Sequence, residues 1–331
     1  MVSASPSRRV LRGAEVLWLA TALVAVVGVG YLVVTGVLDG DSPVHLGDVM
    51  KGWETAVLNP YYWIFVAVIV AAERLWPAQR GAGSLTSGGA TDLVWLLLAP
   101  VFTLTIVALY LGGLEKVWTG LLNGAQLDVV GAVGFVPAAI AAFLLADFTM
   151  WLTHFIRHKV PLFWRFHAVH HSQLQLGVLS DNRVHFIEAI VTATIVYIPA
   201  RLLGLANEAA AVLAIATVFF TGFTHANLRT NMGPLRWLLV TPQSHRIHHS
   251  DEPQHFDHNF GAILSIWDRI FRTQWMRADE YPSTGIDDPS FPVEAGHSPL
   301  SALHFYLLQL VYPFRGVLRA RPARPAPAPT G

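Results

Sequence analysis

Long apolar stretches separated by short polar clusters dominate the first two-thirds of the chain. Val16 to Leu38 carries no charged residue, long enough for a bilayer-crossing helix of about 20 residues. Ala56–Ala72, with "PYYWIF" near its start, is a second such stretch, and its aromatics suit a membrane interface. Leu93–Leu114 is a third. Val129–Ala146 is a fourth, and it runs straight on into "DFTMWLTHFIRH". Ala189–Ala200 and Ala209–Phe223 are shorter and flank "RLLGLANE", which reads as a turn; they predict a hairpin that enters the membrane. The pattern predicts an all-α integral membrane protein of about four transmembrane helices plus a short membrane hairpin, with a helical cap outside the bilayer. Residues 1–128 form the N-terminal spans in this reading, 129–275 the chemical domain, and 276–331 an interfacial segment ("HFYLLQLVYPF", His304–Phe314) followed by a Pro/Ala tail that cannot bury a core.

Positive charge sets the orientation. Arg8, Arg9 and Arg12 precede the first stretch, Arg74 and Arg80 follow the second, and Arg157 and Lys159 follow the fourth. The opposite side receives Lys51 and Lys116, beside Asp39, Asp41, Asp48 and Glu54. This places the N-terminus in the cytoplasm and returns the chain there at His154, in the cell inner membrane or its equivalent.

Composition agrees. Of 331 residues, 53% are hydrophobic and 13% charged, against about a quarter charged in soluble proteins. Lys and Arg balance Asp and Glu at 22 each, so no nucleic-acid partner is expected. With no cysteine, thiolate metal sites, disulfides and cysteine nucleophiles are excluded. Fifteen histidines remain.

Eight of them fall in three clusters. His154 and His158 stand four apart; His167, His170 and His171 read HxxHH; His245, His248 and His249 read HxxHH again. On a helix, residues three and four apart share a face, so each cluster aims its imidazoles at one point. Neutral imidazole suits iron, zinc and copper. Eight nitrogens exceed what one ion of about four to six ligands accepts and fit two ions with an open position each. A lone histidine is usually a hydrogen-bonded packing residue, and a pH-sensing cluster is a further alternative; neither calls for this repeated spacing.

"DFTMWLTHFIRHKVPLFWRFHAVHHS", "FTHANL", "TPQSHRIHHS" and "DHNFGAILSIWDRIFRT" together resemble the fatty acid hydroxylase superfamily, also called the sterol desaturase family, over Asp147 to Thr273. The resemblance implies an integral membrane di-iron oxygenase with cytosolic histidines, acting on a fatty acyl, sterol-like or ether lipid. It implies that the eight clustered histidines bind metal, and it adds His225 from "FTHAN". Where some members carry a histidine four residues on, this chain has Arg229. It makes His185, in "DNRVHFIE", a possible ligand or a neighbour paired with Glu188. Asp147, Asn227, Asp257 and Asn259 are candidates to orient the imidazoles, as are Asp181 and Asn182 by proximity. Asp268 is expected to pair with Arg269 or to cap structure, Trp164, Phe166 and Trp267 to pack, and His255 and His258 to be solvated loop residues. His45, His297 and His304 belong to no cluster.

The reaction expected is O2-dependent hydroxylation of a lipid C–H bond by two iron ions, with zinc possible in isolated protein. Desaturation by the same family's chemistry is the alternative; a membrane metal transporter and a zinc-bound pseudoenzyme are others. No dinucleotide fingerprint, CxxCH or fused cytochrome segment occurs, so an external reductase, ferredoxin or cytochrome is the expected electron donor.

Overall fold

The computed structural model describes residues 51, 53–54, 57–122, 124–205, 219–296 and 298–315. Val16–Leu38, His45, His297, the Pro/Ala tail and most of Ala209–Phe223 lie outside them. Among the described residues the fold is all-helical, with no strand beyond isolated bridges.

α1 (Pro60–Leu75) starts where Asn59 caps it: its Oδ1 accepts from the Tyr61 and Tyr62 N–H groups, and Pro60 occupies the first turn. Its 16 residues span about 24 Å at 1.5 Å per residue. The helix therefore starts later than the apolar run Ala56–Ala72 and is shorter than a typical crossing. The capping side chain, not the hydrophobicity, sets its beginning. α2 (Ser87–Leu122) is 36 residues long, with Pro100 inside it. α3 (Val129–Val133) is one turn capped by Asp128. Gly134, at φ 82, separates it from α4 (Phe135–Lys159). The left-handed conformation is open to glycine without a Cβ penalty, and it splits Val129–Ala146 into a stub and a helix that continues through His158.

α2 and α4 are long and apolar enough to cross a membrane, and only 22% and 33% of their most apolar windows are buried in the protein. A core helix would bury most of such a window; these two turn it outward. Ala138, Ala142 and Ala146 of α4 are fully buried. At four-residue spacing they make a smooth face that lets α4 approach α6 (Phe186–Leu202), whose Ala200 meets Ala146.

Pro161 ends α4. The residue before a proline is driven to extended backbone, and Val160 lies at φ −95, ψ 114. The chain turns there, and α5 (Pro161–His171) packs back on α4. α7 (Thr221–His225) and α8 (Pro242–His248) follow. α8 opens with a reciprocal cap between Thr241 and Ser244 and has Pro242 in its first turn. α9 (Ile266–Ile270) and α10 (Pro299–Arg315) complete the fold, α10 lying on α2 and α5. Trp95 of α2 anchors that contact, 4.8 Å from the Tyr306 ring and donating to Gln309 Oε1 at 3.1 Å.

Two buried polar groups tie the connections to this frame. Glu73 accepts from the backbone N–H groups of Ser84, Val178 and Asn227 at 2.8–3.0 Å. Arg183, fully buried, pairs with Asp92 and Glu294 and donates to the Ser172 hydroxyl and the Gly88 carbonyl. Both carboxylates share the one guanidinium, and Gln173 and the Ser180 hydroxyl also donate to Asp92, the kind of pairing under which buried ions are tolerated.

Candidate metal centre

The turn at Val160 places the last turn of α4 against the last turn of α5, and α8 closes over both. Nine imidazoles meet there in two groups. His154, His158, His167, His171 and His248 form one; His170, His225, His245 and His249 form the other. Within each group one ring nitrogen per residue lies within 4.8 Å of all the others. Both double-histidine pairs divide: His170 and His171 go to different groups, as do His248 and His249.

Several rings are fixed from behind. His154 Nδ1 lies 3.0 Å from the Phe260 carbonyl, His248 Nδ1 2.8 Å from the His258 carbonyl, and His225 Nδ1 2.7 Å from the Thr221 carbonyl. His167 Nδ1 lies 2.7 Å from Glu188 Oε2. A carbonyl or carboxylate can only accept, so these contacts put the proton on Nδ1 and leave Nε2 with its lone pair. The Nε2 atoms of His154, His167 and His248 are buried with no hydrogen-bond partner, an arrangement proteins avoid unless something else fills it.

The inward nitrogens approach each other closely. Nε2–Nε2 distances are 3.1 Å for His158–His171, 3.1 Å for His170–His225, 3.0 Å for His225–His245 and 3.2 Å for His245–His249. Nitrogens about 2.1 Å from a common ion stand about 3 Å apart along an octahedral edge, so the spacing fits a shared ion in each group. Burial first, then the charge of neighbouring imidazoles, holds His167, His170, His171, His245 and His249 well below the usual histidine range. Burial takes His248 down to about 4. Neutral imidazole is the form that binds metal.

Several expected neighbours have different partners. Asp147 does not reach His154; it accepts from the Ile263 and Leu264 N–H groups and from Trp267 Nε1. It thus ties α4 to the loop before α9, and Phe260 of that loop supplies the carbonyl behind His154. His185 lies outside both groups: its Nδ1 caps α6 through Ile187 N–H and its Nε2 faces the Leu310 carbonyl. Glu188 pairs with His167 and Arg157, not with His185. Asn227 takes Gln79 and Arg246, and Asn259 takes Ser244 and Trp275. Asn182 meets Tyr62. Asp268 accepts from Trp151, Phe260, Gly261 and Thr273, and Arg269 turns to the Trp237 carbonyl. His255 is buried between Ser250 and Glu280, not solvated.

Besides Glu188, two of the expected carboxylates face the rings. Asp257 lies 3.9 Å from His158 Nδ1 and pairs with Lys159. Asp181 lies 3.5 Å from His225 Nδ1 while accepting from Thr221. The pairing of Glu188 with His167 escapes a sequence reading because the two stand 21 residues apart, on helices that meet only in the fold.

The sequence model of the fatty acid hydroxylase family matches residues 139–273, a segment that contains all nine histidines. The ornithine lipid hydroxylase OlsE of Rhizobium tropici is 28% identical over 244 residues, covering 60% of this chain and 74% of that protein. The alkylglycerol monooxygenases of Xenopus tropicalis and Homo sapiens are 33% and 32% identical over 131 and 133 residues, covering 40% of this chain and 29% of each enzyme. The chain thus spans less than a third of those two relatives. No solved structure matches the chain. Residues 139–273 thus match a fatty acid hydroxylase domain, and it is through this segment that the chain resembles these lipid hydroxylases and monooxygenases.

Proposed function

We propose that this chain is a membrane oxygenase that hydroxylates a C–H bond of a lipid, with two iron ions held by the nine clustered histidines of the 129–275 unit. The observation that carries the reading is the division of both double-histidine pairs between two adjacent groups of imidazoles, seven of the nine buried. The relatives' names, an ornithine lipid hydroxylase and alkylglycerol monooxygenases, support a membrane lipid as substrate.

Bound at these groups, the irons supply reductive activation of O2 and attack on an unactivated C–H bond. The chain's own part is to hold the rings and exclude water. Glu188 and the carbonyls of Phe260, His258 and Thr221 fix which ring nitrogen faces inward. The Phe260 ring lies 5.1 Å from His158 and 5.6 Å from His248, and Trp164 lies 4.9 Å from His158; they wall the five-histidine group with apolar surface. One oxygen atom enters the lipid and the other leaves as water, with two electrons from a separate reductase, ferredoxin or cytochrome and two protons from solvent. In this reading α2 and α4 are two of about four spans, and both groups lie at the cytoplasmic end of α4, where Arg157 and Lys159 stand.

Isotopically heavy O2 supplied to cells expressing the protein tests the reaction, with lipids followed by mass spectrometry. A product carrying one heavy oxygen, absent with His170→Ala, is expected. An unlabelled new double bond would replace hydroxylation by desaturation. Unchanged lipids under iron-replete, reducing conditions would leave a metal transporter or a zinc-bound pseudoenzyme.

A further inference from the structure

The surface formed by residues 233–239 and 265–272 is apolar, cationic and uncovered among the described residues. Leu235, Leu238 and Ile270 are 52%, 53% and 57% exposed, and Trp237 and Phe271 are nearly half exposed. The two segments are one body: Leu239 bridges Leu264, Ser265 N–H donates to the Leu238 carbonyl, and Ser265 Oγ donates to the Arg236 carbonyl. Arg236 and Arg269 lie over the Trp237 ring at 5.2 and 5.6 Å, and Arg272 is exposed beside them. The one acidic residue in these segments, Asp268, is buried and turned inward.

The position of this surface is fixed by α4. Val136, Ile140 and Leu144 are exposed at four-residue spacing, so they form one stripe. Phe148 continues the stripe, and there Trp267 and Phe271 cover it at 5.0 and 6.1 Å. Phe271 also stacks on Trp151 at 4.4 Å. Phe148 precedes His154 by six residues, about 9 Å along the helix. The exposed face of α9 therefore extends from the metal-centre level toward the bilayer side and joins the outward stripe of α4.

Apolar side chains flanked by arginines around an exposed tryptophan have the chemistry of the boundary between lipid headgroups and acyl chains. Arginine adds attraction to anionic headgroups, which a neutral protein partner would not repay. We propose that Leu235, Trp237, Leu238, Ile270 and Phe271 form a foot that inserts into the surface of an anionic bilayer and seats the metal centre against it. The inference rests on the membrane-spanning reading of α4 and is independent of the reaction.

The absence of cysteine in the chain makes a direct test clean. Single variants Leu235→Cys, Ile270→Cys, Ile140→Cys and Gln254→Cys are labelled with an environment-sensitive fluorophore. The full chain is reconstituted into nanodiscs containing nitroxide-bearing lipids. Ile140 reports the α4 stripe, and Gln254 is an exposed site beside Asp251 and Glu252, with no affinity for an anionic surface. Quenching at 235 and 270 about threefold or more above that at 254, rising when about a third of the phosphatidylcholine is replaced by phosphatidylglycerol, is expected. Arg236→Gln combined with Arg272→Gln should abolish the rise. Quenching at 140 with none above background at 235 and 270 overturns the foot while leaving the spanning helix intact. Loss of quenching at 140 as well overturns the spanning reading itself. Quenching equal in both lipid compositions overturns the anionic preference. Self-contact of pyrene at Cys-substituted position 270 without lipid quenching assigns the surface to a second copy and overturns the proposal.

Discussion

Glu188 Oε2 lies 2.7 Å from His167 Nδ1, and Arg157 Nη1 lies 3.4 Å from the same oxygen. One carboxylate thus orients an inward-facing imidazole while held by a cation one residue before His158. Glu188→Gln keeps the shape and removes the charge. Loss of such an orienting carboxylate weakens metal binding by about 10- to 100-fold. Chelator competition should show that loss for one ion and leave the other unchanged; equal retention of both would reduce Glu188 to a packing residue.

Removing a ring from either group should cost that group its ion. Elemental analysis of purified protein is expected to show two ions per chain, iron in active protein, with His170→Ala and His248→Ala each losing at least one. His304→Ala, exposed on α10, should lose none. Identical metal content in all three would remove the ligand assignment.

Asp268 accepts from two backbone N–H groups, an indole and a hydroxyl, one of them on Phe260, whose carbonyl stands behind His154. Asp268→Ala leaves these buried donors unpaired, at a cost of about 3 kcal/mol or more. A fall in the thermal midpoint together with weaker metal binding is expected, with Asp268→Asn intermediate. An unchanged midpoint would show that water replaces the carboxylate.

His185 supplies an acid-sensitive element away from both groups. Burial pushes it down to about 3, against about 6.5 in an unfolded chain. Between those values the folded protein binds fewer protons than the unfolded one, so stability falls as pH drops below about 6.5 and continues to fall to about pH 3. This one group contributes a slope of about 1.4 kcal/mol per pH unit in that window. His185→Asn retains a side-chain cap for α6 and cannot titrate. Its thermal midpoint should vary less steeply with pH across the window; parallel profiles would contradict the burial assignment.

The apolar pattern made the helical, membrane-compatible character legible, and histidine spacing made eight members of the two groups legible from α4, α5 and α8 alone. His225 was visible only through resemblance, since a single histidine in "FTHAN" has no spacing to read. The partners of Asp147 were not legible, because proximity along a helix says nothing about the loop that arrives 116 residues later to take its oxygens. The same holds for Arg183, whose partners Asp92 and Glu294 come from opposite ends of the described chain. Helix starts were set by Asn59 and Gly134, local features that override the hydropathy profile.

The division of each double-histidine pair has a geometric consequence. Adjacent Cα atoms are about 3.8 Å apart across a trans peptide, and the paired rings lie 5.6 Å apart for His170–His171 and 5.4 Å for His248–His249. Each dipeptide is therefore a covalent ruler between the two groups, and the two rulers lie on different helices. The separation of the groups is set by bond lengths more than by packing, so α5 and α8 can breathe against each other and still hold the gauge. A residue inserted within either pair would change that gauge directly, whereas a lengthened loop elsewhere would leave it intact.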